Sequence, residues 1–341
     1  MAPAEAQPEY PDRPLYVVGG RQRAPRPLRS GIEQRFEYDL AMILRVDPGT
    51  GEVRTALEYE SPPEVCPPDD PAILFKSATL DGDQLYVCTL TEVMRFQLPG
   101  FERTGYLSLP HFNDLHHVRP TPERNLLVAV TGLDMVLEIS WEGTVLREWD
   151  VLGRVPWGRF SRETDYRLVG STKPHEAHPN HVFYIGREPW VTRFEQRDAI
   201  SLDDPARRIA IGLERIHDGV VHRGRVYFTT VDGKVAIADT DTFEVVSVVD
   251  LAPFHDDDTL LGWARGLLVD DRGLWVGFSR IRPTKFRENV AWLVRGFKRD
   301  LPTRVAYYDL AAGACLASID LEATGLGAVF SVLPANLPRD S

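Results

Sequence analysis

The residues best suited to chemistry in this sequence are its histidines, and their placement is uneven. Eight of the nine (His111, His116, His117, His175, His178, His181, His217 and His255) fall in four segments, 109–117, 171–181, 214–218 and 252–263, little more than a tenth of the chain. A neutral imidazole is both a metal ligand and a proton carrier near pH 7. Three imidazoles with a carboxylate or water suit zinc, iron, manganese or copper better than calcium. The expected set is His117, His181 and His217, with Asp218 as fourth ligand or as the group that orients a ring. His116 and His178 stand in reserve, and with Glu176 of PHEAHPNH they are the candidates for moving protons. No HExxH or comparable helical spacing occurs, so the signal lies in position along the fold. The alternative is that these rings cap turns and bridge sheets through channel water with no ion between them.

A second set of residues points to the charge of a small-molecule partner. Arg280–Asp300 carries five Arg and two Lys against one Glu and one Asp, a local balance of +5 in a protein of net charge −11. Lys76, Arg265, Arg280 and Arg282 are the expected contacts for a carboxylate, sulfate or phosphate. Arg21, Arg23, Arg26 and Arg29 form another basic stretch. A solvated basic surface paired with acidic loops such as Asp256–Asp258 is the equal alternative. Ser77 and Ser331 have no nucleophile-elbow motif around them, and Gly19-Gly20 ends a strand and opens no phosphate loop.

The elements that must position these residues are strands. Short runs rich in Val, Ile, Leu, Tyr and Trp recur between Gly, Asp, Asn and Pro turns, and almost none has a long 3.6-residue period. Residues 216–251 read as a four-stranded antiparallel meander, and comparable units lie at 73–108, 112–152, 178–213 and 263–321. The step from Ser77 to Tyr86, His181 to Trp190, Asp218 to Tyr227 and Gly266 to Trp275 is nine residues each time, and His117 to Leu127 is one longer. Leu15–Gly20, Ala41–Asp47 and Val53–Glu60, joined by Ala328–Leu333, complete a sixth unit. The expected fold is an all-β six-bladed propeller closed by strands from both ends of the chain. A seven-bladed ring with a further blade near 153–177, or a β-sandwich, is the rival.

A propeller of this kind is one domain, residues 14–341, behind a Pro-rich, disordered tail at 1–13. The first strand of each blade lines the channel. In that register the blades present Lys76-Ser77, His116-His117, Asn180-His181, His217-Asp218 and Arg265-Gly266 to the axis. The insertions 21–39, 153–173 and 280–302 share the face at which first strands begin, and FRENVAWLVRGF predicts a short amphipathic helix over the channel mouth.

Composition narrows the function classes. With 43% hydrophobic and 26% charged residues the chain is an ordinary globular protein, and its acidity argues against a nucleic-acid surface. Cys66, Cys88 and Cys315 are far apart, suggesting neither disulfides nor a thiolate metal site. No apolar run is long enough to span a membrane and the N-terminus lacks a secretory pattern, so a cytoplasmic location is expected.

The segments FNDLHHV, HPNHV and HDGVV, each opening a first strand, resemble blade starts of the six-bladed SMP-30/gluconolactonase and paraoxonase-like propellers. The resemblance implies Asn180 and Asp218 as ligands of a central divalent cation, with Asn113 or Asp114 beside them. That family's Glu ligand has no counterpart, since Lys76 or its neighbours occupy the comparable place. The added histidines favour Fe, Zn or Mn over Ca. HHVRPTPERNLLVAVTGLDMVLEI also looks like a blade of NHL and arylsulfotransferase-like propellers. The expected function is metal-dependent chemistry on a small anionic organic molecule, by hydrolysis or a lyase or isomerase reaction. A multi-histidine non-haem iron oxygenase and a non-catalytic binding scaffold are the other two readings.

Overall fold

The computed structural model describes residues 13–23, 38–69, 71–256, 259–280 and 299–335. Among these residues every long element is a strand, and helix is confined to single turns of 3-10 type. Six four-stranded antiparallel sheets are present. Blade 1 joins the strand Leu326–Pro334 to Leu15–Gln22, Tyr38–Asp47 and Glu52–Tyr59. Blade 2 runs through Ser77–Asp81, Gln84–Cys88, Val93–Gln97 and Glu102–Leu107, and blade 3 through Leu115–Pro120, Leu126–Val130, Met135–Ile139 and Val145–Asp150. Blade 4 comprises Pro179–Ile185, Glu188–Arg193, Asp198–Ser201 and Arg208–Ala210. Blade 5 comprises Val220–His222, Arg225–Thr229, Lys234–Asp239 and Val245–Asp250, and blade 6 Trp263–Val269, Gly273–Ser279, Arg304–Asp309 and Ala314–Asp320.

The first strands touch one another in cyclic order, and the strand Leu326–Pro334 packs against both the blade 6 and the blade 2 first strands. It also pairs antiparallel with Leu15–Gln22, so the two ends of the described chain lock into one sheet and the ring has no long free edge. The seven-bladed alternative is thereby excluded. The segment 153–177 holds one 3-10 turn, Tyr166–Leu168, and the Tyr166 and Val169 carbonyls accept from the Asn113 side chain.

Burial explains why these sequences become blades. Middle strands such as LLVAV at 126–130 are buried on both faces between neighbouring sheets, whereas outer strands alternate or face solvent, as at Glu102–Leu107. Large side chains fill the gaps between blades, among them Trp190, Trp275, Phe183 and Phe228. The equal spacing in the sequence is one hairpin register repeated. Tyr86, Trp190, Tyr227 and Trp275 pair with Thr79, Phe183, Val220 and Leu268, and Leu127 pairs with Arg119 across a hairpin one residue longer.

The feature that builds the site is a break in register. First strands shift between Leu115 and His117, between Pro179 and Val182, between Arg265 and Leu267, and opposite Val18 and Gly19, which leaves Phe330 as the extra residue. Such bulges let two successive side chains face the axis, which strict alternation forbids. Of the three insertions, 24–37 and 281–298 lie outside the described residues, and with them Arg26, Arg29, Arg282 and the helix expected at 286–297. Thr259–Leu260 and Arg299–Asp300 form a small parallel pair at the base of the third. No helix among the described residues is long and apolar enough to cross a membrane.

Candidate functional site

Five histidines reach the axis, in two tiers. At the mouth, where first strands begin, stand Lys76, Asp114, His116, His178, Asn180, His217, Arg265 and Phe330. Lys76 Nζ lies 3.1 Å from Asp114 Oδ1, and His116 Nε2 lies 3.3 Å from the same oxygen. Lys76 and Arg265 both lie over the Phe330 ring, at 5.3 and 4.9 Å from its centroid. The His116 ring sits 4.7 Å from His178 and 6.1 Å from His217.

Hydrogen bonds fix the tautomer of His116. The Asn180 amide donates to the Ile216 carbonyl at 3.0 Å, so its oxygen faces His116 and accepts from Nδ1–H at 2.6 Å. In the neutral ring the lone pair then sits on Nε2, beside Asp114. Next to it the His175 and His178 Nδ1 atoms are 2.9 Å apart, sharing one hydrogen, and His175 Nε2 reaches the Thr172 hydroxyl at 3.3 Å. Both ring nitrogens of His217 are buried without a hydrogen-bond partner among the described residues.

Electrostatics follow from burial and from the two cations. Burial, then the Lys76 ammonium, draw His116 down to about 4 against the opposing pull of Asp114. His178 and His217 are held well below the usual imidazole range, chiefly by burial and then by His116 and Arg265 respectively. Burial also lowers Lys76. For Asp114 burial works upward, but Lys76 and His116 outweigh it and hold the carboxyl well below its ordinary value. The mouth thus sets Lys76 and Arg265 beside one carboxylate and imidazoles whose charged form burial disfavours. Asp114, 21% exposed, and Lys76, 12% exposed, meet solvent, as do the partly exposed His178 and Arg265.

The second tier lies one residue further along the strands. His117 and His181 face each other with ring centroids 3.7 Å apart, and Asp218 completes the level with Ser331 and Gly266. The Asp218 carboxylate accepts from the Thr229 hydroxyl and from the Gly266 N–H, the latter at 3.0 Å. Burial, offset by those two bonds, pushes its carboxyl up to about 6. Gly266 has φ +75°, and a Cβ there would lie 3.0 Å from the Ser331 backbone, so this position admits no other side chain without strain.

The expected ligands are therefore not one shell. His117 and His181 belong to the inner tier, His217 is beside His116 and Phe330 at the mouth, and Asp218 accepts from Thr229 and Gly266 through its Oδ2 alone. No group of three or more His, Cys, Asp or Glu side chains among the described residues is disposed to hold a metal ion. Asn113 and Asn180 spend their amides on backbone carbonyls.

Other expected residues fall apart from the axis. Glu176 is exposed and bound by Arg154 and Arg159; the bond from Arg154 leads in lowering its carboxyl. Arg280 pairs through Nε with Glu322 at 3.0 Å. His111 packs against Trp157, and His255 bonds the Tyr308 hydroxyl at 2.9 Å. Two residues that matter were not singled out in the sequence. Asp134 accepts from the N–H groups of Glu176, Ala177 and His178 and from Arg159, which pins the His178 loop. Arg119 lies two residues beyond His117 on the same strand face, a spacing that could have revealed it.

No family model matches the chain, and no curated protein matches it in sequence. Among solved structures it is similar to a protein of unknown function from Bacteroides caccae, with TM-score 0.60 at 12% identity over 94% of this chain and 98% of that one. A chain of the nidogen/laminin complex aligns with TM-score 0.57 at 9% identity over 93% and 97%. Virginiamycin B lyase from Staphylococcus aureus aligns with TM-score 0.44 at 12% identity over 69% of each chain. At such identities the first two likenesses speak for the fold alone: this chain is a six-bladed β-propeller.

Proposed function

We propose that the chain is an enzyme that moves a proton on a small organic anion at the channel mouth, in a reaction of the lyase or isomerase kind. One observation carries the reading: Lys76 and Arg265 meet over Phe330 beside a neutral His116 whose Nε2 lone pair faces Asp114. The cations would hold a substrate carboxylate. His116 Nε2 would take a proton from the carbon next to it, and the electron pair left behind would spread onto the carboxylate, where Lys76 and Arg265 stabilise it. Loss of a neighbouring leaving group, or return of the proton to another carbon, completes the reaction. An imidazole held at about 4 is a weak base in the free protein. A bound anion offsets the Lys76 and Arg265 charges that lower it, and Asp114 favours the imidazolium once formed, so substrate itself raises the basicity.

The test is proton exchange from a panel of small carboxylic acids in heavy water, followed by NMR. Wild type should exchange or eliminate with at least one acid, His116→Gln should slow it about a hundredfold or more, and Lys76→Gln should raise KM. No exchange with any member removes the reading. Metal-dependent hydrolysis is the second reading, favoured by the two unpartnered ring nitrogens of His217. Stoichiometric iron, zinc or manganese in protein purified without a metal column, lost in His217→Ala, would support it.

A further inference from the structure

The inner tier is the floor of a cavity of about 670 Å³ that opens on the opposite face, beside the turn Pro120–Arg124 and Gly186. Its volume falls within the roughly 300–1,000 Å³ of small-molecule sites. Its walls combine apolar side chains, Leu80, Val220, Leu267, Leu268 and Leu333 among them, with Asp81, Arg124 and Asp218. Into this surface the blade 3 first strand places Arg119, half-buried and with no hydrogen bond or ion pair to a described residue. The carboxylate nearest in charge, Asp81, is bound by Arg124 at 2.6 Å. Beyond Arg119, His117 donates from Nε2 toward the Thr79 hydroxyl at 3.4 Å, which itself donates to the Val118 carbonyl, and its Nδ1 is left buried and unpartnered.

We propose that this cavity is a second ligand site, for an organic acid with a compact apolar body, whose carboxylate pairs with Arg119. Burial disfavours the Arg119 guanidinium, a cost an anion would offset, and the guanidinium fork matches a carboxylate in two parallel bonds. The apolar body lies against the leucine walls, toward the His117–His181 pair. The site is separate from the mouth: its ligand enters from the other face and touches neither Lys76 nor Arg265, so it stands or falls independently of the proton-transfer reading.

Calorimetric titration with naphthoate and its uncharged isostere naphthamide tests this. Wild type should bind naphthoate at one site per chain, about tenfold or more tighter than naphthamide. Arg119→Gln should erase that preference while naphthamide binding persists, Arg119→Lys should keep most of it, and Lys76→Gln should change neither affinity. The proposal is overturned if the wild-type protein binds the acid no better than the amide, if folded Arg119→Gln keeps the preference, or if Lys76→Gln abolishes it. The wild-type comparison needs no variant and holds whatever the stability of the Arg119 substitutions.

Discussion

At the scale of single residues, the mouth depends on one carboxylate serving two bases. Asp114 has φ 46°, a left-handed conformation that aspartate tolerates better than most side chains, and its Oδ1 meets both Lys76 and His116. Removing one member of a buried pair leaves the other charge uncompensated, at a cost of about 3–5 kcal/mol. Asp114→Asn should therefore destabilise the protein by a few kcal/mol on that scale, and Asp114→Asn with Lys76→Met should recover most of the loss in denaturant melts. Because Asp114 raises His116, the same single change should move the His116 titration, followed by imidazole NMR, to still lower pH. A shift upward would contradict the assigned contacts.

Elements matter through the bulges and one loop. Four of the six first strands break register, and in those four the break lets consecutive side chains turn toward the axis. Gly266→Ala would put a Cβ against Ser331 backbone in a left-handed conformation, and a loss of about 2 kcal/mol or more is expected from melting. The loop carrying His178, which has φ 55°, hangs from the buried Asp134 carboxylate by three backbone N–H bonds. Hydrogen bonds to a charged group contribute about 1.5–3 kcal/mol each. Asp134→Ala should lower Tm and, by freeing His178, lower kcat more than it raises KM. An unchanged kcat would mean that the His178 ring, 4.7 Å from that of His116, does not position the base.

For the whole molecule, the ring concentrates imidazoles that the fold holds neutral. His116 and His181 are drawn from 6.5 to about 4 and about 3, chiefly by burial. Their folded values lie below the unfolded one, so the unfolded chain takes up protons first as pH falls, and stability is full above 6.5 and lost as pH falls toward 4 and 3. Each unit corresponds to about 1.4 kcal/mol, so the two groups together represent several kcal/mol. Tm should stay level in this respect from pH 8 to 7 and fall steeply from pH 6.5 to 4. A Tm unchanged down to pH 4 would mean that these rings are not buried and neutral.

How much of this was readable from residues alone differs between fold and site. Alternating apolar runs, Gly and Asp turns and the nine-residue step specify hairpins of one register, because those signals act between neighbours in sequence. The sequence thus determined a six-bladed ring, its closure by both termini and which segments reach the channel. It could not determine axial height. His116 and His117 are adjacent in the chain yet belong to different tiers, since a bulge and contacts from other blades decide where each ring stops. For the same reason the His117, His181, His217 and Asp218 set divided between levels, Asp114 found Lys76 across a blade boundary, and Arg119 became the charged group of a cavity. Pairings between residues brought together by ring closure depend on packing across sheets, which no local spacing records.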